Sequence, residues 1–273
     1  MFNRCLLSIV IVLSATLPTF AQVPWQFRWQ KGLVLNYKIK HVTSVVEVVE
    51  ASKNIANSNL DLVNRWQVTD LDNKGIATLS LTLVSMRNEQ KRANGETLLF
   101  DSENPDKSTP ELNKQMSKFI GQTVAIVRMD GFGRVLEVKQ GSAASFEAEA
   151  PFLVVFPEAK AAAGQAWRRQ FNLVLDPPYG TGEKFEAEQR YDCKKIDAGK
   201  AMLSVTTHFK TMPDNMRERI PLVQKDVQGE LVFDVNAGQL ISAQLNIDKT
   251  VENHQGKGSS YHFKSQYSRQ LID

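Results

Sequence analysis

The sequence predicts a mainly β protein: an antiparallel, strongly curved sheet or two duplicated β units, about ten to twelve strands with one or two short covering helices. Three observations carry this expectation. First, a strand-turn-strand pattern occurs twice, as RWQVTDLDNKGIATLSLTLVSM from Arg65 and RYDCKKIDAGKAMLSVTTHFKTM from Arg190, aligned with a one-residue gap at the turn. Second, Leu79, Leu81 and Leu83 alternate with Ser80 and Thr82, the two-residue period of a strand with one face on a core, and Leu203, Val205 and Phe209 echo it. Third, a hairpin pattern, TVAIVRM, Asp130 to Gly133, RVLEVKQ, is echoed in the same order by ELVFDV, Asn236 to Gly238, QLISAQLNI.

The chain opens with Arg4, an apolar run from Leu6 to Leu13 and small residues ahead of Gln22. That is the layout of a secretory signal, with cleavage expected after Ala21 and a soluble product in the periplasm or outside the cell. The apolar run is too short to span a bilayer. Cys193 is then the sole mature cysteine, so no internal disulfide forms and stability must come from a packed core. The formal net charge of +3 is too small to argue for nucleic acid.

Organisation follows from the repeats: residues 1–21 as signal, 22–156 as a first β unit with a helix near 110–120, and 157–273 as a second. Trp25, Phe27 and Trp29 alternate with polar residues and predict an opening strand with three aromatics on the core. Leu33, Leu35, Tyr37 and Ile39 share one face of the next strand, and the apolar alternation continues over 42–50 before a polar turn around 53–59. The turn from Asp70 to Gly75 resembles a calcium loop at three positions, but Lys74 and Leu81 stand where oxygen ligands are required, so a hairpin is expected. Residues 87–107 are polar and predict a solvated loop. Thr109-Pro110-Glu111 starts a helix, with Thr109 as N-cap and Pro110 at the first helical position. Leu112, Met116, Phe119 and Ile120 form its apolar stripe, and these four are the candidate ligand-binding residues, as a lid over the sheet. Residues 142–156, rich in Ala and Glu and then apolar, predict a short helix stopped near Pro151 and Pro157. Pro221 keeps any helix over 213–226 short, and a last strand closes the chain over 258–272.

Catalytic patterns are missing from the sequence: no G-x-S-x-G, no H-E-x-x-H and no phosphate loop opening a helix. His41, His208, His254 and His262 are scattered, and the expected reading is solvated or edge histidines. Cys193 aligns with Val68, which favours a small core residue over a nucleophile. No metal, cofactor or catalytic residue is therefore assigned.

The motifs Gly32 to Tyr37, Asp72 to Leu83, Met129 to Val135, Pro157-Glu158 and Gly164 to Trp167 together resemble an uncharacterised family of bacterial secreted proteins and lipoproteins. The resemblance implies export and a β fold, and it brings no activity or catalytic residues. Unlike the lipoprotein members, this chain has no cysteine at the cleavage point. Curved sheets with a helix in the mouth are containers for apolar ligands, so the expected role is a non-enzymatic binder or carrier of an apolar small molecule or lipid. The alternative is a structural or partner-binding envelope module with a solid core.

Overall fold

The computed structural model describes residues 23–178 and 180–272; the expected signal segment lies outside them. Twelve strands form one antiparallel sheet. In chain order they are β1 (Val34–Val49), β2 (Ser52–Leu71), β3 (Ala77–Lys91), β4 (Thr97–Asp101), β5 (Thr123–Met129), β6 (Val135–Gln140), β7 (Ala166–Leu175), β8 (Glu183–Asp197), β9 (Lys200–Phe209), β10 (Gln228–Asp234), β11 (Gln239–Glu252) and β12 (Ser260–Ile272). Helices α1 (Pro110–Met116), α2 (Ala143–Ala148) and α3 (Arg219–Val223) are short. The strand order is β6-β5-β3-β2-β1-β12-β11-β10-β9-β8-β7, with β4 added to β3, so β1 and β12 join the halves and the sheet does not close into a barrel.

The two halves place matching residues at matching registers. Leu79 lies between Val68 of β2 and Val127 of β5, and Leu203 lies between Cys193 of β8 and Leu231 of β10. Both adjoining strand pairs shift register beside that position, at Val68/Asp70 and at Cys193/Lys195. The amides of Gly32 and Gly164 donate to the carbonyls of Val68 and Cys193, each at 2.8 Å. Gly75 and Gly199 adopt φ +77 and +79 at the two turns, a region open to glycine at little cost. Asp72 clamps its turn by accepting from the amides of Lys74 and Ile76, and Arg128 of the neighbouring strand donates to its other oxygen at 2.7 Å.

Because the sheet curls without closing, its inner face must be covered by chain that is not sheet. Two segments do this at one end. Trp25, Phe27 and Trp29 are buried as predicted, yet their segment is not a strand of the sheet. It threads between the two hairpin turns, where Phe27 donates its amide to the Gly131 carbonyl and Arg28 to that of Gly238. The second segment is residues 150–156, in which Phe152, Leu153, Val154 and Phe156 are all buried. Its carbonyls are held by side chains of the sheet: Pro151 by Arg269, Leu153 by Tyr191 and Val155 by Trp167. Phe27 packs edge-on to Phe233, Trp66 meets Phe152 at 5.4 Å, and Phe156 meets Phe233 at 4.5 Å, so rings from both halves and both segments form one cluster.

Two predicted turns prove to be strand. The polar residues 53–59 belong to β2, and the reversal falls at Glu50, which takes φ +56. Residues 87–101 are the end of β3, a tight turn and β4. Here the sheet extends beyond the aromatic cluster as a single layer whose faces are both partly exposed, so polar side chains are admitted and backbone pairing alone maintains the strand. Asp101, in the acidic stretch, accepts from the amides of Glu103 and Asn104 and closes a turn.

Gly133 tests the threading of the aromatic segment. It has φ +87, and a methyl group there would sit 2.8 Å from the Phe27 ring and from the Val154 carbonyl oxygen. Gly133→Ala is expected to cost about 2–3 kcal/mol, read as a lowered urea midpoint at unchanged m-value.

Candidate functional site

Beyond the aromatic cluster the concave face is not filled. A cavity of about 370 Å³ is walled by six strands: Phe171 of β7, Gln189 of β8, Val205 of β9, Leu245 and Ile247 of β11, Phe263, Ser265 and Tyr267 of β12, and His41 and Thr43 of β1. Strand parity explains the apolar walls. Register pairs place Leu245 beside Tyr267 and Thr43 beside Ser265 on one face, while Lys40, Gln244 and Ser268 fall on the other. Leu153, midway along the filling segment, lines the cavity; it takes φ +62, and its carbonyl accepts from the Tyr191 hydroxyl at 3.0 Å.

The cover comes from two short pieces of chain. Ala148 ends α2 and Glu149 and Ala150 follow it, while Gln224, Lys225 and Val227 follow α3. Ser142 caps α2, accepting from the Ser145 amide at 3.2 Å. At the other end Arg169 of β7 donates to the Glu147 and Ala148 carbonyls, satisfying the negative end of the helix. Arg169 also donates to Gln189 at 3.0 Å and lies over the Phe171 ring, and burial lowers its pKa from the ordinary value. Helix α3 is tied to the opposite wall by Asp226 with Lys249 at 2.6 Å and by Gln224 with the Tyr261 hydroxyl at 2.8 Å.

A second, larger cleft of about 720 Å³ lies where the free edges of β6 and β7 face each other beside α2. Its walls carry Arg134, Arg169 and Lys210 together with Glu137, Glu147 and Glu186, set among apolar side chains such as Leu136, Val138 and Phe146, so it is an open cleft with charges of both signs. Phe171 and Ala150 border both spaces and form the partition between them.

The four candidate lid residues lie elsewhere. Helix α1 packs on β4, and Leu112, Met116, Phe119 and Ile120 border neither of these two spaces; Phe119 is largely exposed and Ile120 bridges to Leu83. The cavity lies instead under the ends of α2 and α3. The histidines also separate. His208 is exposed and His262 donates to the Asp248 carboxylate at 2.7 Å on the outer face. His254 is buried against Glu47 at 2.8 Å. His41 faces into the cavity, 2.8 Å from the Ser265 hydroxyl and edge-on to the Tyr267 ring. The signal for it was present: His41 continues the odd-numbered series Leu35, Tyr37, Ile39 that marks the apolar face. Cys193 is buried and unpaired, with its thiol pKa pushed up by burial, as befits a core residue.

No protein-family model and no curated protein matches this chain. Among solved structures, lipovitellin, described for its lipid–protein interactions, superposes with a TM-score of 0.49 at 15% identity. That match covers 89% of this chain, which spans 25% of the lipovitellin chain. DynF from the dynemicin biosynthesis pathway of Micromonospora chersina gives 0.23 at 9% identity, covering 100% of this chain and 94% of its own. A β-barrel-like DUF1849 protein from Brucella abortus gives 0.23 at 10%, covering 89% and 100%. All three scores lie below 0.5, and the site described above rests on the strand pairing of this chain alone.

Burial lowers the His41 pKa from its ordinary 6.5, the largest influence, while Glu149 raises it and Lys225 lowers it. A base whose folded pKa is depressed binds its proton more readily in the unfolded chain. Its contribution to stability is therefore intact above pH 6.5 and lost as pH falls through the folded value. Melting temperature is expected to drop below pH 6.5, and His41→Phe is expected to flatten that part of the profile.

Proposed function

We propose that this chain is an exported, non-catalytic binder or carrier of an apolar small molecule or lipid. The observation that supports this reading is the apolar cavity of about 370 Å³ on the concave face. Its volume lies within the range of small-molecule sites, and its apolar surface comes chiefly from Leu153, Phe171, Val205, Leu245, Ile247 and Phe263. The lining exposes more apolar than polar surface, with polar groups from Thr43, Gln189 and Ser265 on the walls and Glu149, Gln224 and Lys225 at the cover, so a mainly apolar occupant with a polar part is favoured.

The competing reading, a structural or partner-binding module, requires a solid interior. The aromatic end of the molecule is solid; the end under α2 and α3 is not. Export remains part of the proposal and rests on the signal-like first residues.

Native mass spectrometry of protein purified from its own host tests the reading, with a co-purifying apolar mass as the expected result. Ile247→Trp fills the cavity from a buried wall position and is expected to remove that mass without lowering the melting temperature. The double variant M116D/F119D, away from the cavity, is expected to leave it in place. Retention by the Ile247→Trp protein would show that the bound molecule sits elsewhere.

A further inference from the structure

We propose that the apolar cavity takes one straight-chain amphiphile, and that the Glu149–Lys225 ion pair is the gate through which it enters and leaves. This rests on the reading of the cavity as an apolar ligand site.

The ligand class follows from volume and from the rim. A space of about 370 Å³ lies at the small end of small-molecule sites, a size that suits one acyl chain better than a two-chain lipid. Polar side chains occur at the cover, where Glu149, Gln224 and Lys225 meet above His41, and also on the walls at Thr43, Gln189 and Ser265, but the charged ones are confined to the cover. A molecule with an apolar tail and a small polar head matches this division, with its tail against Leu245, Ile247 and Phe263.

The gate follows from how the covers are attached. The segment after α2 is anchored to β7 through Arg169, and Asn172 of the same strand donates to Glu147 at 3.2 Å. The segment after α3 is anchored to β11 and β12 through Lys249–Asp226 and Gln224–Tyr261. Each leaf is thus fixed to its own wall. Among the described residues, Glu149–Lys225 at 3.8 Å is the only ion pair or hydrogen bond joining one leaf to the other. Both side chains are about half exposed, at 54% and 50%, so the pair is weak enough to open without disturbing either anchor.

The test measures occupancy and exchange separately on the full mature protein. Occupancy is read by native mass spectrometry with dodecanoic acid and, in parallel, with a two-chain phosphatidylcholine. Exchange is the rate at which bound dodecanoic acid passes to phosphatidylcholine vesicles. Wild-type protein is expected to bind one dodecanoic acid and no phosphatidylcholine. E149K and K225E each put like charges across the gap and are expected to speed release about three- to fivefold, the upper end of the scale of one exposed ion pair. The swapped double variant E149K/K225E is expected to return within about twofold of wild type, and high salt is expected to speed release from wild type by screening the pair. Failure of wild type to bind dodecanoic acid overturns the cavity reading itself. Equal occupancy by phosphatidylcholine overturns the single-chain class. Intact occupancy with unchanged release in both single variants and in high salt overturns the gate. Should a single variant misfold, the double variant and the salt series still decide the matter.

Discussion

An antiparallel sheet that curls but does not close has two unsatisfied requirements: its inner face needs a cover, and its edges need protection. This chain meets the first with aromatic side chains carried by two segments outside the sheet. Trp25 stacks on Phe156 and Phe27 on Trp29, so the opening segment and the filling segment are packed as one body against Trp66, Tyr37, Tyr191 and Phe233. The Tyr37 hydroxyl crosses from β1 to the Leu240 carbonyl of β11, closing the same body from below at 2.9 Å. Tyr191, Trp167 and Arg269 direct their buried donors to carbonyls of the filling segment, which offsets part of the desolvation cost of each.

The cavity is a consequence of where that filling stops. Residues 150–156 reach only part of the way along the concave face, and beyond Leu153 the inward side chains of β9, β11 and β12 face one another across open space. Arg269 marks the boundary: it is buried, donates to the Pro151 carbonyl and the Tyr267 hydroxyl, and lies over the Tyr37 ring. Its cation–π contacts and two hydrogen bonds take the place of a carboxylate partner. On one side of it the interior is a ring cluster, and on the other it is a container.

The edges are treated differently. β6 and β7 are left unpaired on one side and face each other across the charged cleft, with α2 lying beside both. Charged side chains at such an edge discourage pairing with another chain. The helix that covers the edge gap also supplies one leaf of the cavity cover, so edge protection and access to the interior are physically coupled through six residues.

Much of this was readable from the residues and some was not. Period-two alternation and turn chemistry determined the strands, their antiparallel pairing and the shared face of Leu79, Val68 and Val127, because a strand's facing depends only on parity and its reversals only on local backbone geometry. His41 and His254 depart from the expectation of solvated or edge histidines: His41 shares the parity of Leu35, Tyr37 and Ile39 and lines the cavity, and His254 is buried. Polar strands at 53–59 and 87–91 escaped notice, since in a single layer neither face has to be apolar and no pattern is left to read. The stripe on α1 showed that Leu112, Met116, Phe119 and Ile120 share a face but not what lies opposite, and the bundle of fillers, the position of the cavity and the Glu149–Lys225 contact belong to the tertiary structure alone. These depend on how far the sheet curls and which distant segments enter its concavity, quantities set by packing between residues more than a hundred positions apart rather than by any local period.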